Sequence, residues 1–345
     1  MPMELLLSKS PIVGNIRAKS VGDYFKLCVE RATQFNIATG FISNDSVATL
    51  KQILEFRDGS MGLNMLIGMN YLDGFTKPQY RAVDDLNRYL MDNHLGQIFV
   101  SPSAFFHGKM YSFKKCSTCI GSFVGSSNLA SFVGTDNNHI ESDIMLKDAE
   151  GDVVNQRITS LISCLGKPIS DVTITNFKQV NGHVLDGYSY VTEIPKDQLQ
   201  QLMLERTGDS VAVPLKTEAK SNLNAYFGKG KIKGKYSPRG WYEVELIVSK
   251  SLKNVGLLPD KDSGPFTVVT EDGYCFTCER QGDYSKNLRS CKDLKILGRW
   301  IKGQMENDGA LDIGTPVTPE TLSKFGRSTI VFEKTASGIW LISLR

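Results

Sequence analysis

His107-Gly-Lys109, followed by Gly125-Ser126-Ser127-Asn128 and then Glu141, is the stretch around which the whole chain organises. It sets one imidazole, one ammonium, one carboxamide and one carboxylate within about 35 residues, each a group that phosphodiester cleavage can use. On a strand over His107–Phe113, His107 and Lys109 project to the same face, because side chains repeat every two residues. An imidazole can attack phosphorus and hold a phosphoryl group covalently, while the neighbouring ammonium neutralises the non-bridging oxygens. A Gly-Ser-x-Asn turn at a strand end brings backbone N–H groups, a hydroxyl and an amide donor to the same phosphate. Glu141, opening another strand, is a candidate to accept the other imidazole N–H and so fix its tautomer. Each piece alone is weak, since His-x-Lys is common and Gly-Ser-x-Asn is an ordinary turn. Their order between strand-like segments is what carries weight.

Around this stretch the first half alternates strand-like and helix-like patterns. Phe35–Phe41 and Leu63–Met69 are short apolar runs that read as buried strands. Asp45–Phe56 has helical spacing at Val47, Leu50, Ile53 and Leu54, with Asn44 or Asp45 as N-cap. Gln79–Met91 is an amphipathic helix preceded by Pro78. Strands are predicted near Gly96–Val100, His107–Phe113, Cys119–Ser126 and Glu141–Lys147, and a helix near Val153–Cys164. Helices bracketing a mixed sheet make this half an α/β sandwich.

The pattern changes between about residues 170 and 205. Lys167-Pro168 and Thr173–Tyr190 read as a connecting segment with some strand character, and Gln198–Leu204 as a short helix. Val211–Leu215, Trp241–Val248, Phe266–Thr270, Tyr274–Arg280, Thr329–Lys334 and Ile339–Leu344 are then short strand candidates, interrupted by one helix-like stretch, Leu297–Met305. The predicted organisation is an α/β mixed-sheet sandwich over 1–175, a linker over 176–205 and an all-β pseudobarrel over 206–345.

Composition bounds the rest. The chain has 345 residues, enough for two ordinary domains. No apolar run approaches the roughly 18–20 residues of a membrane span, and Met1–Leu7 lacks the basic region of a signal peptide. The 7 cysteines are an odd number scattered over the chain, which argues for reduced thiols and a cytoplasmic location. Cys116-Ser-Thr-Cys119 and Cys275-Phe-Thr-Cys278 are too far apart for a zinc ribbon, and the second pair lies in a strand pattern where i and i+3 face opposite sides. His94, His139 and His183 have no ligand-spaced partners, so no metal and no cofactor is predicted. The net charge of +3 is too small to identify a nucleic-acid binder; its distribution is more telling.

Between 216 and 239 the segment holds Lys216, Lys220, Lys229, Lys231, Lys233, Lys235, Tyr236 and Arg239 among glycines and polar residues, with Glu218 its only acid. Alternating lysines on a Gly-rich segment suit an arm lying along a polyphosphate backbone; the plain alternative is a solvated edge strand protected by lysines. A second stretch, Arg280, Gln281, Asp283, Tyr284, Lys286, Asn287 and Arg289, contains side chains of the types that read base edges in the major groove. The two together, beside a candidate phosphodiesterase, point to double-stranded DNA as partner.

The His107–Glu141 set resembles half of a phospholipase D-type active site, and most resembles the nuclease and restriction-endonuclease branch of that superfamily. The resemblance makes His107 the nucleophile through a phosphohistidine. It makes Lys109 and Asn128 phosphate ligands, Ser126 their support and Glu141 the group that orients the histidine. It departs at Lys114, where the superfamily's long motif has an acid, which speaks against lipase-type and synthase-type members. The second half resembles the pseudobarrel of plant B-three transcription factors, with roughly 219–239 and 280–292 as its two arms. The order of the two halves resembles restriction endonucleases of the NgoFVII/NgoAVII type over nearly the whole chain. That resemblance implies a sequence-specific, metal-independent endonuclease, with a separate ATPase subunit as a further partner.

Phospholipase D chemistry needs one histidine to attack and another to protonate the leaving oxygen. One copy of the set per chain therefore implies a homodimer with a composite site on its two-fold axis. The competing readings are a nonspecific phosphodiesterase, a phosphatidyl transferase or phospholipase, and a DNA-binding regulator with a degenerate nuclease domain. No membrane-binding segment and no second motif copy is visible for the lipid enzymes, and all key residue types are present against decay.

Overall fold

The structure, a computed structural model, describes residues 3–7, 19–133, 139–179, 182–228, 230–232 and 235–345, with 19, 231–232 and 235–237 described by their backbone only. The chain divides into two compact units, Met1–Val180 and Asn181–Arg345.

In the first unit the strands are β1 (Met3–Leu7), β2 (Lys19–Ser20), β3 (Gln34–Thr39), β4 (Gly62–Ile67), β5 (Gly96–Val100), β6 (Lys109–Lys115), β7 (Thr118–Gly125), β8 (Ser142–Leu146) and β9 (Lys167–Pro168). They form one mixed sheet in the order β2-β1-β8-β7-β6-β3-β4-β5-β9. Strands β3, β4 and β5 run parallel, and β6, β7 and β8 follow antiparallel. The helices are α1 (Val21–Arg31), α2 (Asn44–Phe56), α3 (Met69–Asp73), α4 (Lys77–Asp92), α5 (Leu129–Val133) and α6 (Asp148–Leu165).

Period-two alternation decides which side of the sheet each residue serves. On β3, Phe35 and Ile37 face an aromatic core in which Phe35 stacks on Phe113 at 3.9 Å and Tyr111 meets Phe132 at 4.1 Å. Phe25 of α1 closes that cluster edge-on against Phe35 and Phe113. Ala38 faces the other way, onto Val154, Ile158 and Leu161 of α6. The sheet is thus covered on both faces, as the apolar runs predict. Capping explains where α2 and α4 start. The Ser43 and Thr76 hydroxyls each accept the N3 backbone N–H, their own backbone N–H groups donate to the Ser46 and Gln79 side chains, and Pro78 sits in the first turn of α4.

Two expectations shift here. The strand predicted over His107–Phe113 begins at Lys109, leaving His107 on the loop that enters it. Helices α1, α3 and α5 and strand β1 have no counterpart in the predicted elements.

The second unit contains β10 (Thr192–Glu193), β11 (Arg206–Pro214), β12 (Gly230–Ile232), β13 (Lys235–Ser237), β14 (Leu246–Ile247), β15 (Phe266–Thr270), β16 (Tyr274–Gln281), β17 (Asn287–Ser290), β18 (Thr329–Thr335) and β19 (Trp340–Leu344). Its helices are α7 (Lys196–Leu204), α8 (Ile296–Asn307) and α9 (Pro319–Phe325). The main sheet runs β11-β18-β19-β15-β16-β17-β14, with β10 on β16, and β12-β13 form a separate hairpin. It is mixed, since β15 and β19 are parallel. Among the described residues the path stays open, and α8 buries Leu297, Trp300, Ile301 and Met305. The predicted all-β pseudobarrel is thus borne out in part: the strands form one mixed, mainly antiparallel sheet, and α8 adds a core helix to it.

The strand predicted over Trp241–Val248 shrinks to Leu246–Ile247 for a related reason. Trp241 and Tyr242 turn inward, donating to the Glu306 carboxylate of α8 at 2.6 and 2.8 Å. The fully buried Lys302 ammonium lies 3.2 Å from the Trp241 ring and donates to the Trp241 carbonyl. Burial lowers the Lys302 pKa, and Glu306 pulls the other way.

Candidate active site and nucleic-acid surface

The candidate site forms where β3 ends and β6 begins. Thr39 and Lys109 are paired across those strands, and the Gly40 N–H donates to the Gly108 carbonyl at 2.9 Å. Carboxyl ends of parallel strands are where open α/β sheets hold ligands. Gly40 permits the close approach: a Cβ there meets His107 Cα at 3.1 Å and Cδ2 at 3.2 Å. The His107 ring is exposed and stands edge-on to Phe41 at 5.5 Å.

Lys109 folds back over His107. Its Nζ lies 3.1 Å from His107 Nε2 and 3.5 Å from Nδ1, and donates to the His107 carbonyl at 3.0 Å. The same-side placement expected of the two residues is thus present even though His107 precedes the strand. Partial burial lowers the Lys109 pKa, and Glu141 opposes that shift.

Ser126 donates to the Glu141 carboxylate and accepts the Ser142 N–H at 3.1 Å. Glu141 thus meets the Gly-Ser-x-Asn turn at the end of β7. Asn128 stands just before α5 with its carboxamide oxygen buried and without a hydrogen-bond partner.

Behind these lies a layer the motif does not name. Asp143, buried on β8, accepts Ser127 Oγ at 2.5 Å and the Ser127 N–H at 3.3 Å. The buried Tyr111 hydroxyl donates to the Ser127 carbonyl at 3.0 Å. Burial raises the pKa of both Asp143 and Tyr111. Gly125 makes room: a Cβ there meets Asp143 Oδ1 at 2.3 Å. Ser127 was part of the quoted stretch, but its partners lie on strands whose pairing no local spacing shows. Lys114, standing where the superfamily has an acid, pairs with Asp152 of α6 at 3.1 Å.

The thiols and His183 stand apart from this set. All 7 cysteines are free, and burial pushes Cys28 up to about 12. Among the described residues, no group of three or more His, Cys, Asp or Glu side chains could hold a metal ion. His183 stacks on Tyr274 at 3.9 Å and meets Asp272 at 2.7 Å, within the second unit.

Of the first predicted arm, Lys229 and Lys233 lie outside the described residues, and Lys231, Lys235 and Tyr236 are described by backbone alone. Lys231 pairs with Tyr236, and Ile232 with Lys235, in the β12-β13 hairpin. Arg239, at its base, is engaged by Glu243 at 3.2 Å and Glu245 at 3.7 Å.

The second arm separates by strand parity. Glu279 and Gln281 on β16 pair with Arg289 and Asn287 on β17, so these four share a face. Glu279 accepts from Arg289 at 3.1 Å and from Gln281 at 3.1 Å. Asp283, Tyr284 and Lys286 are exposed on the connecting turn. Arg280 is the correction. It alternates inward with Tyr274, Phe276 and Cys278, and its guanidinium donates to the Ser285 carbonyl at 2.6 Å and the Leu258 carbonyl at 3.1 Å. It braces the turn and does not lie on the shared polar face.

Comparison with known proteins agrees with both halves. Residues 20–172 match the NgoFVII restriction endonuclease N-terminal PLD domain, and residues 201–336 the NgoFVII C-terminal B3-like DNA-binding domain. Similar solved structures include the phospholipase D family member Nuc from Salmonella typhimurium, at 11% identity and TM-score 0.32, covering 48% of this chain and 96% of its own. Phosphatidylserine synthase from Haemophilus influenzae (10%, TM-score 0.35) covers 48% and 39%. NucT from Helicobacter pylori (13%, TM-score 0.28) covers 43% and 91%. No curated protein matches the chain.

Proposed function

We propose, for a chain that belongs to the NgoFVII restriction endonuclease family and carries both of that family's domains, a sequence-specific endonuclease that cuts DNA through a phosphohistidine without a metal ion. The chain is a phosphodiesterase with a DNA-binding domain. The observation that carries the finer reading is the Lys109 ammonium 3.1 Å from His107 Nε2, at the carboxyl end of β3.

In this reading a scissile phosphate displaces Lys109 from the imidazole and takes its charge. His107 attacks phosphorus, a P–N bond forms, and the bond to the leaving oxygen breaks. His107 of a second copy donates the proton that oxygen needs. It then accepts a proton from water, which attacks phosphorus and releases His107 and a phosphate monoester. Lys109, Asn128 and the Ser126 turn hold the non-bridging oxygens. Asp143, Ser127 and Tyr111 keep that turn in place.

The second copy is also where an unfilled surface lies. Leu5, Ile144 and Val124 are exposed, and they pair directly across β1, β8 and β7, so they form one apolar row. Val124 is two residues from Ser126, and Ile144 three from Glu141. Apolar residues beside a half-site suit a two-fold contact that completes it.

Incubation of plasmid with pure protein in EDTA tests the reading. Discrete bands are expected; a smear means nonspecific cutting, and cleavage only after divalent metal is added overturns the metal-independent mechanism. A pH profile tests Lys109. Its lowered pKa means that the phosphate-binding charge is lost, as pH rises, before the ordinary lysine value of about 10.4 is reached. The alkaline limb of kcat/KM is therefore expected below that pH, and Lys109→Arg should move it upward. A limb unmoved by that change assigns it to another group.

A further inference from the structure

The second unit has a cleft of about 980 Å³ between the loop around 250–263 and the turn that joins β16 to β17. The two walls are fastened together. Arg280 donates to Leu258 on one side and Ser285 on the other, and the Lys261 N–H donates to Ser285 Oγ at 3.0 Å.

The lining decides what chemistry fits. Lys250, Lys261 and Arg280 are balanced by Asp260, Asp262 and Asp283. An electroneutral wall does not select a phosphate, for which an excess of cations is needed. It offers donors and acceptors in both senses to a planar, neutral group, with Pro259 and Leu257 as apolar surface. The size falls in the roughly 300–1,000 Å³ range of small-ligand sites.

At its rim stands Tyr284. Its φ of +59° is uncommon for an aromatic residue, and it is flanked by Gly282 at +74° and Ser285 at +54°. That backbone holds the ring out, 71% exposed. The Lys250 ammonium rests 3.4 Å from the ring centre, so the ring offers a π face to a cation or a base.

We propose that this cleft receives one nucleobase turned out of the bound duplex, with Tyr284 occupying or stacking beside the gap it leaves. The inference rests on the DNA-reading role of this domain. Enzymes that take up such a base bear the cost of unpairing it, and that cost is least at a mismatch. A base entering the cleft displaces Lys250 from the ring toward the backbone phosphates, and its polar edge meets the charged groups of the lining.

The test is a mismatch scan of the cognate duplex, the site first being found by sequencing cut ends, with binding of the full-length protein followed by gel shift. At one position a mismatch that keeps the extruded base should tighten binding by about tenfold, while at the others it weakens binding. At that same position, 2-aminopurine should brighten several-fold in stopped flow before cleavage. Tyr284→Ala should remove both effects while circular dichroism stays unchanged. Mismatches that weaken binding at every position, with specific gel shifts intact, overturn the base pocket and leave the DNA-binding reading standing. Loss of all sequence preference by the wild-type protein overturns the DNA-reading role itself.

Discussion

Replacing His107 by alanine should abolish cleavage, by about four orders of magnitude or more, and leave sequence-specific binding within a few-fold of wild type. The size follows from the two roles the residue is given. In one copy it forms the bond to phosphorus, and in the other it supplies the proton to the leaving oxygen, a contribution of about 10²–10⁴-fold by itself. Binding is spared because the DNA-binding domain lies in the other unit. His107 is exposed on a loop, so its loss opens no cavity and stability should hardly change. Single-turnover cleavage and a gel shift on the same preparation check this. Loss of binding together with cleavage means that the two roles do not divide between the two units.

Ile144→Asp should convert the protein to a monomer and remove cleavage with it. Ile144 lies between Leu5 and Val124 in the apolar row, so a two-fold contact buries the introduced carboxylate twice, each time among apolar side chains. Unpaired buried charges cost several kcal/mol each, enough to raise a dimer dissociation constant by about a hundredfold or more. Because Ile144 is exposed in the isolated unit, the fold itself should be retained. Sedimentation over a concentration series, beside a cleavage assay, checks this. A dimer that survives the change shows that the row is covered by something other than a second copy.

Much of the first unit could be read directly. Its apolar runs are short and both periods are clean, although the α2 cap is Ser43 and not the Asn44 or Asp45 that the sequence suggests. Helix α1 has no predicted counterpart, although Val21, Phe25 and Cys28 stand at helical spacing behind the Ser20 cap. The motif names His107, Lys109, Ser126, Asn128 and Glu141, and the structure sets Lys109 against His107 and Ser126 against Glu141. The motif alone could not show that Glu141 reaches the Ser126 hydroxyl, which depends on how β7 pairs with β8.

The second unit was harder because charge was read without parity. Tyr274, Phe276, Cys278 and Arg280 are one inward face of β16, and that alternation, carried one step further, places Arg280 in the interior. Trp241 and Tyr242 look like strand residues by type, yet their partner Glu306 is more than 60 positions away on α8. Long-range hydrogen bonds of this kind decide local conformation and leave no local trace. The β12-β13 hairpin lies within the Gly-rich lysine segment, where the turn could be expected but its register could not.

The most direct test of the account is cleavage in EDTA by protein co-expressed from wild-type and His107→Ala genes in varied proportion. A site assembled from two imidazoles predicts activity that follows the square of the wild-type fraction, about a quarter at equal amounts. Activity that falls in simple proportion to that fraction means each chain cuts alone, and contradicts the account.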